Sequence, residues 1–479
     1  MITTMKKAYL FLMGCLALAG CEKQLDIVPK GQTTLDNLVD LEYLLNQDYA
    51  LGEAYNLEIL CNELIATGAT GQPIPNILTS RNTIDAAVLT YDESIDRVLL
   101  TATDGRYSAI YRYISYMNQV IDRVYEVEGD DARRPVLDAE AHIMRAWLHF
   151  LAVNIFARQY DPATAASLGG IPYSETIDIF EPRTKQTLET VYEKILADCD
   201  EKYIEALPDQ AANVLRGNKA WGYAVRARIL LQMKRYDQAL PLAAKAWEYN
   251  STIEDRSSIP DLGMWSLLDT APNNYLFVGA GIASPFMSVI SPETAARFET
   301  GDYVMDYTTD WSEMYASMLC GAPAGAKMFF GFFAEVNPWG ITTERNLYTL
   351  AECLIRTGQI DEGLAEVDRV RIHRIHPDYY TPFAGRGITD EAQAMALLQE
   401  AKWIECIGTF ENFFDCKRWN SEEPYKKAIT RTIPAQDTDY DGVPDTEEMV
   451  FTLEPDSPLW VFPFPYDAVQ HNSSLIQNY

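Results

Sequence analysis

An acidic segment near the C-terminus carries the most specific chemical pattern in this sequence. Residues 437–448 read DTDYDGVPDTEE and match D-x-D-x-D-G-x5-E over all twelve positions. Alternate carboxylates in such a loop converge on one hard cation, and the glycine allows the sharp turn between them. The segment predicts a structural calcium site; in so acidic a chain, a solvated loop is the alternative. The predicted ligands are Asp437, Asp439, Asp441, Val443 through its carbonyl, Asp445 and Glu448.

Cysteine and histidine do not form a second metal motif. The chain has eight Cys and five His but no C-x-x-C and no H-E-x-x-H. Helix packing and capping explain His142, His149, His373 and His376 better than zinc does. The Cys spacing offers no disulfide framework, so we expect mostly free thiols, although an exported protein could form disulfides.

Composition narrows the class of protein. The chain has 479 residues, of which 48% are hydrophobic, so a large packed core is expected. Acidic residues outnumber basic ones 69 to 39, which gives a formal charge of −30. Such a field repels phosphate groups, so nucleic acid and anionic lipid are not expected partners. No nucleophile elbow, P-loop or zinc motif occurs, and we predict neither catalysis nor an organic cofactor.

The N-terminus has the pattern of an export signal. Lys6 and Lys7 precede an apolar run, residues 8–20, which is too short to span a bilayer and suits a signal peptide. The run ends in Leu-Ala-Gly-Cys21, which resembles a bacterial lipobox. We therefore expect residues 1–20 to be removed and Cys21 to carry acyl chains such as palmitate, which anchor the protein. An ordinary secretory signal beside a chance Cys is the alternative.

Most of the remaining chain is patterned as helices, which must position any site. Apolar residues recur every three or four positions in 107–124, 136–156 and 188–207. This pattern predicts a mainly α fold with degenerate tetratricopeptide-like helical repeats and a long, irregular, loop-rich insertion.

An internal repeat supports this fold class. Residues 227–240 (ARILLQMKRYDQAL) align without gaps with residues 351–364 (AECLIRTGQIDEGL). Each copy has the pattern of a helix, a turn, an N-capping Asp (Asp237 or Asp361) and a second helix, as in tetratricopeptide repeats. The predicted organisation is a signal peptide at 1–20 and one domain at 21–479, with a helical scaffold at 33–250 and 344–420, an insertion at 251–343 and a loop-rich C-terminal segment at 421–479.

The sequence resembles the SusD/RagB family of outer-membrane lipoproteins. The matching segments follow one another along nearly the whole chain, and each is weak alone. They are CEKQLDIVPKG, YSAIYRYISYMNQVIDRV, AEAHIMRAWLHFLAVNIFA, NKAWGYAVRARILLQMKRYDQAL, LAECLIRTGQIDEGLAEVDRVRIHRI, LLQEAKWIECIGTFENFFDCKRW and LWVFPFPYDAVQHNSSLIQNY. One departure is WIEC at 403–406, where the family usually has an Arg-Glu-Leu-rich run; we expect this to alter local packing only.

The resemblance implies a helical, tetratricopeptide-like fold attached to the outer membrane, usually on its outer face. It also implies a partner, a SusC-like TonB-dependent transporter, over which the lipoprotein sits as a lid. The family binds glycans, or peptides in some members, and passes them to the transporter without catalysis. One alternative is a peptide-binding or scaffold member of the same complex. Another is a glycoside hydrolase; pairs of carboxylates are so frequent in this chain that they cannot distinguish a hydrolase from a binding protein.

Candidate glycan-binding residues follow from the chemistry of sugars. Aromatic faces pack against the apolar side of a sugar ring, and amides bind its hydroxyls, so an exposed Trp or Tyr near Asn indicates a site. For each candidate, packing within the protein is the alternative. Trp147 and Trp221 lie on helical faces and are predicted to be core residues. The candidates are Asn82, Tyr91, Trp265, Asn274, Tyr275, Trp311 and Trp339.

Overall fold

The computed structural model describes residues 35–479 apart from seven short segments: 53, 68–72, 258–272, 277, 280–287, 308–309 and 330–336. The predicted signal peptide, Cys21 and Trp265 lie outside the described residues. In the part of the chain that is described, no helix is both long and apolar enough to cross a membrane.

The fold is mainly α, as the sequence predicts, and the chain passes from one helix to the next with short strands between. The helices are α1 (Leu38–Leu45), α2 (Tyr55–Leu60), α3 (Ile74–Thr79), α4 (Ile84–Thr90), α5 (Arg97–Leu100), α6 (Gly105–Arg123), α7 (Arg134–Phe156), α8 (Leu188–Asp198), α9 (Glu201–Ala206), α10 (Lys219–Gln232), α11 (Tyr236–Tyr249), α12 (Pro292–Ala295), α13 (Tyr303–Tyr307), α14 (Asp310–Cys320), α15 (Thr343–Arg356), α16 (Ile360–Arg371), α17 (Glu391–Glu405), α18 (Glu411–Trp419) and α19 (Tyr466–His471).

Helix α7 lies at the centre of the core. It packs along α6, which begins at the N-cap Asp104, where the carboxylate accepts a hydrogen bond from the Arg106 N–H at 2.8 Å. From Leu137 onward almost every residue of α7 is buried, and a helix that is buried all round must be enclosed by other elements. Trp147 on α7 and Trp221 on α10 are fully buried, which confirms them as core residues.

The two copies of the repeat form helix hairpins that pack on each other. Helices α10 and α11 form the first and α15 and α16 the second, with α11 against α15. The predicted N-capping role of Asp237 and Asp361 is wrong, because each lies inside the first turn. A backbone hydrogen bond from Gln359 N–H to the Leu354 carbonyl closes the turn so tightly that α16 starts one residue before Asp361. Assignment of the hairpins to tetratricopeptide repeats, and the domain limits, stay predictions.

The strands form four small antiparallel sheets among the described residues. One is three-stranded in the order β1-β5-β6, and it joins the N-terminal segment to the predicted insertion. The hairpin of β8 and β9 carries the acidic segment in its connection. The strands are β1 (Leu64–Thr67), β2 (Gly169–Pro172), β3 (Lys185–Thr187), β4 (Asn274–Leu276), β5 (Ser288–Ile290), β6 (Lys327–Phe329), β7 (Ile341–Thr342), β8 (Ile429–Ile433) and β9 (Met449–Leu453).

A buried ionic cluster connects four helices. Three cations and three carboxylates meet on α10, α15, α17 and α18, so the formal charges balance. All six side chains are at most 3% exposed, and unpaired charges at such positions would be strongly unfavourable. The members of this ionic cluster are Arg228, Lys402, Arg418, Glu352, Glu411 and Asp415.

Candidate functional site

The described residues enclose a cavity of about 210 Å³ beside this ionic cluster. Its wall is formed by the residues that follow α2, by α12 and the residues after it, by α17 and α18, and by the segment that leads into β8. These pieces are far apart in the sequence, so only the folded chain assembles the cavity. It is smaller than the roughly 300–1,000 Å³ of drug-sized pockets, and so suits a ligand, or part of one, of single-ring size.

Three aromatic side chains line the cavity: Trp403 on α17, Trp419 at the end of α18, and Tyr425 beyond it. The Trp403 indole N–H donates to Thr294 Oγ1 at 3.0 Å, and that of Trp419 donates to Glu352 Oε1 at 3.2 Å. The Tyr425 hydroxyl is likewise 2.8 Å from a carboxylate oxygen. Because the polar ends of the rings are bonded to protein, their orientation is fixed and they give the cavity rigid apolar surface.

Polar groups lie between these rings. The Arg297 guanidinium stacks 4.1 Å above the Trp403 ring and lies 3.5 Å from the Glu400 carboxylate. Asn420 accepts a hydrogen bond from a backbone N–H at 3.1 Å through its oxygen. Among the described residues, the Asn420 amide nitrogen and the Gln399 side chain have no hydrogen-bond partner, so these groups are available to a hydroxyl-bearing ligand.

A second cavity of about 190 Å³ adjoins the first, and the two share Arg297 and Glu400 in their walls. The second cavity is the more charged, with Arg371, Arg374 and Asp302 in its lining. Burial raises the pKa of the Asp302 carboxyl to about 6. The Arg297–Glu400 ion pair therefore stands between an aromatic compartment and an ionic one.

Comparison with known families decides which class of protein this is. A family model described as "Starch-binding associating with outer membrane" matches residues 35–231, and a model described as "SusD family" matches residues 346–479. Together they span about two thirds of the chain. The chain belongs to the SusD/RagB family. A search of curated proteins finds no match.

Solved structures of the SusD superfamily share the fold over nearly the whole chain. A SusD superfamily protein from Bacteroides thetaiotaomicron is 15% identical, with a TM-score of 0.64 over 92% of this chain and 100% of its own. A SusD-like carbohydrate-binding protein from Bacteroides vulgatus is 13% identical, with a TM-score of 0.62 over 92% and 98%. A laminarin-binding SusD-like protein is 15% identical, with a TM-score of 0.62 over 92% and 99%.

Three of the predicted glycan-binding residues of this SusD/RagB chain, Trp339, Tyr275 and Tyr91, are core residues, and the prediction that they lie on exposed loops is wrong. Trp339 is fully buried, and its indole N–H donates to the Gly52 carbonyl at 2.6 Å. Tyr275 on β4 is 1% exposed, and its hydroxyl donates to the Asn250 carbonyl at 2.7 Å. The Trp339 and Tyr275 rings hold the insertion against the rest of the protein, because their polar atoms bond to backbone oxygens of other segments.

Tyr91 and the two amide candidates on described positions lie apart from one another. Tyr91 is 7% exposed, and the guanidinium of Arg431 stacks on its ring at 4.5 Å, so it lies behind the cavity wall rather than in it. Asn274 accepts a hydrogen bond from Asn337 at 2.8 Å within the packed insertion. Asn82 is exposed just before α4 and stays a predicted ligand residue.

Two tryptophan candidates have no described side chain. Trp265 lies outside the described residues, and Trp311 belongs to α14, but its side chain lies outside the described part of the structure. Their glycan-binding roles remain predictions.

The acidic segment forms a compact loop between β8 and β9. Carboxylate oxygens of Asp437, Asp439 and Asp441 all lie within 4.8 Å of one another, which is the spacing that a shared cation needs. Gly442 has φ of +90°, the left-handed conformation that glycine tolerates best. Asp445 is engaged elsewhere, accepting hydrogen bonds from the Thr438 N–H and hydroxyl. The structure therefore brings three of the six predicted ligand residues together, and these fit a calcium ion.

Sequence reasoning missed the aromatic cavity. Trp403 stood out only as a departure from the family pattern, and Trp419 only as the last residue of a matching segment. Tyr425 belongs to none of the matching segments. The available signal was the density of aromatic and amide residues in 403–425. That signal was weak because the opposite wall comes from residues 61–62 and 293–297, which no local pattern connects to it.

Proposed function

We propose that this protein is a lipid-anchored outer-membrane protein that binds glycans at the cell surface. It delivers them to a SusC-like TonB-dependent transporter. Membership of the SusD/RagB family supports this, as do relatives whose names state carbohydrate or laminarin binding. In this proposal Cys21 is the acylated residue.

The aromatic cavity is the observation that carries the proposed glycan binding. It combines rigid ring surfaces from Trp403, Trp419 and Tyr425 with the Gln399 amide and the amide nitrogen of Asn420. Apolar ring faces with nearby amides match a sugar ring, whose two faces are less polar than its hydroxyl-bearing edge. The adjoining ionic cavity extends the same site, so a chain of more than one sugar unit is the ligand class that we propose.

We further propose that the protein does not cleave its ligand. The two carboxylates that line the cavity are held in structural contacts, since Glu400 pairs with Arg297, and Glu293 accepts a hydrogen bond from Asn62 at 3.0 Å. A hydrolase would need one carboxyl as an acid and one as a base or nucleophile flanking the bond. The appearance of new reducing ends when the pure protein is incubated with a bound glycan would favour the hydrolase alternative.

Calcium is proposed as a structural ion of the loop between β8 and β9. Asp437, Asp439 and Asp441 would supply the converging oxygens. The loop also contacts the helices, since the Tyr440 hydroxyl is 2.5 Å from Oδ1 of Asn76 on α3. An ion there would hold the hairpin against α3.

A glycan panel tests the proposal. Affinity electrophoresis of the lipid-free protein in gels containing different polysaccharides should show retardation by at least one of them. Tyr425→Ala should weaken that interaction about twofold to tenfold, since one aromatic contact is worth roughly 0.5–1.5 kcal/mol. Tyr43→Ala is the matched control, because Tyr43 is 67% exposed on α1 and does not line the cavity. Purification with a transporter but without retention by any glycan would favour the scaffold alternative.

A further inference from the structure

Two cysteines of the cavity wall form a close pair. Cys61 follows the last residue of α2 and is 1% exposed, whereas Cys416 on α18 is half-buried, and both line the aromatic cavity. Helices α2 and α18 pack together, and the Cys416 thiol is close enough to raise the pKa of the Cys61 thiol. Both are reduced in the structure.

The pair differs from the other cysteines that the structure describes. Cys199, Cys320, Cys353 and Cys406 are buried, and none of them lines the aromatic cavity. Buried cysteines of this kind pack as small apolar side chains and react little. Among the described cysteines, Cys416 is the one that is partly exposed, lines the cavity and has another thiol, that of Cys61, beside it.

We propose that Cys61 and Cys416 are a disulfide-forming pair, whose oxidation joins α2 to α18 at the wall of the aromatic cavity. This modification does not depend on glycan binding. Neighbouring thiols in an exported protein meet an oxidising environment, which favours the bond.

The chemistry requires an oxidant, for which a small-molecule disulfide or a disulfide-bearing oxidoreductase is sufficient. Burial raises the pKa of the Cys61 thiol well above its ordinary value, so the half-buried Cys416 attacks first. Its thiolate bonds to one sulfur of the oxidant, and the other sulfur leaves as a thiolate. Cys61 then loses its proton and attacks the Cys416 sulfur, which expels the second thiolate. Two protons and two electrons leave the protein, and the oxidant is reduced to two thiols.

The bond would change stability more than shape. Cys61 and Cys416 lie near opposite ends of the described chain, and a disulfide that closes a long loop restricts the unfolded chain strongly. We therefore expect the oxidised protein to melt several degrees above the reduced protein.

Oxidation of the purified full-length mature protein with glutathione disulfide tests the proposal. Peptide mapping without reductant should show a peptide that joins Cys61 to Cys416, and melting should shift upward. Cys416→Ser and Cys61→Ser should each abolish the linked peptide and the shift. Cys199→Ala, which alters a buried cysteine outside the cavity, should keep the linked peptide.

Two results would overturn the proposal, and neither involves a glycan measurement. One is recovery of both cysteines as alkylated thiols after the oxidised protein is unfolded in the presence of iodoacetamide. The other is a mixed disulfide with glutathione that persists on Cys416 while Cys61 stays reduced. If a serine variant fails to fold, mapping of the wild-type protein alone still separates these results from the linked peptide.

Discussion

Glu63 is a fully buried carboxyl beside the aromatic cavity. Burial raises its pKa to about 8, even though the Gly408 N–H and the Asn412 amide donate hydrogen bonds to it. The same carboxyl in an unfolded chain titrates near 4.5. Between these two values the folded state binds more protons than the unfolded state, so stability falls as the pH rises through that window.

The change Glu63→Gln tests this linkage. In the wild-type protein the free energy of unfolding should fall from about pH 5.5 to about pH 7.5, by at most about 1.4 kcal/mol per pH unit from this group. The variant should lose that part of the slope and keep a smaller one from Asp302, whose pKa is also raised. Urea unfolding at several pH values measures this, with the exposed Glu126→Gln as control. Equal slopes in the wild-type protein and Glu63→Gln would contradict the assignment.

The ionic cluster yields a second prediction at the scale of residues. Lys402→Met removes one of three buried cations and leaves Glu411 and Asp415 with less compensation. Removing one partner of a buried ion pair costs about 3–5 kcal/mol, and we expect a loss in that range. The double variant Lys402→Met with Glu411→Gln restores the charge balance and should regain part of the stability. Denaturant unfolding of the single and double variants measures this, and strictly additive losses would show that charge balance is not the cause.

Burial of individual side chains was the least predictable property of this sequence. Tyr275 and Trp339 lie among Asn, Gly and Pro, a composition typical of exposed loops, yet both are core residues. Their burial depends on Asn250 and Gly52, which present backbone carbonyls from other parts of the chain. By contrast, Trp147 and Trp221 were predictable, because helical periodicity alone places them on a buried face.

At the scale of elements, the packing of α15 on α16 depends on one glycine. A Cβ at Gly363 would come within 2.6 Å of Ile355 Cγ1 and 2.7 Å of the Ala351 carbonyl oxygen. Gly363→Ala should therefore destabilise the protein by about 1–3 kcal/mol through overpacking, although alanine has the higher helix propensity. Gly105→Ala, at the start of α6 with open space around the position, should not destabilise it. Urea unfolding compares the two, and equal effects would show that the helices do not meet this closely in solution.

The loop between β8 and β9 gives a prediction about metal binding. Titration of the wild-type protein with millimolar calcium should release or absorb heat, and calcium at about a hundredfold above its Kd should stabilise the protein by about 2.7 kcal/mol. Asp439→Asn should abolish both effects, because it removes one of three converging carboxylates. Asp378→Asn, an exposed carboxylate outside the loop, should change neither. A wild-type protein without heat of binding and without thermal stabilisation would rule out the site.

Helices were predictable where the helical spacing of apolar residues coincides with the internal sequence repeat. The aligned segments at 227–240 and 351–364 do fall in two helix hairpins. The starts of their second helices were not predictable, because backbone bonds in the turns decide them rather than Asp237 or Asp361. The sheet β1-β5-β6 could not be predicted either, since its strands have at most four residues and pair across long stretches of chain.

At the scale of the whole molecule, the order of family-like segments was sufficient to predict the fold class, because such an order requires the same sequence of packed helices. The aromatic cavity was beyond prediction because its walls come from residues near 61, 294, 403 and 425. No local sequence pattern indicates that these residues contact one another in the fold. The proposed glycan binding therefore depends on a site that only the folded chain assembles.

A crystal structure of the protein with an oligosaccharide selected from the glycan panel tests the central claim most directly. We predict a sugar ring in the aromatic cavity, packed against Trp419 or Tyr425 and hydrogen-bonded to Asn420. Further units should extend toward the Arg297–Glu400 pair. An oligosaccharide that binds only at another surface, with the aromatic cavity unchanged, would contradict the account.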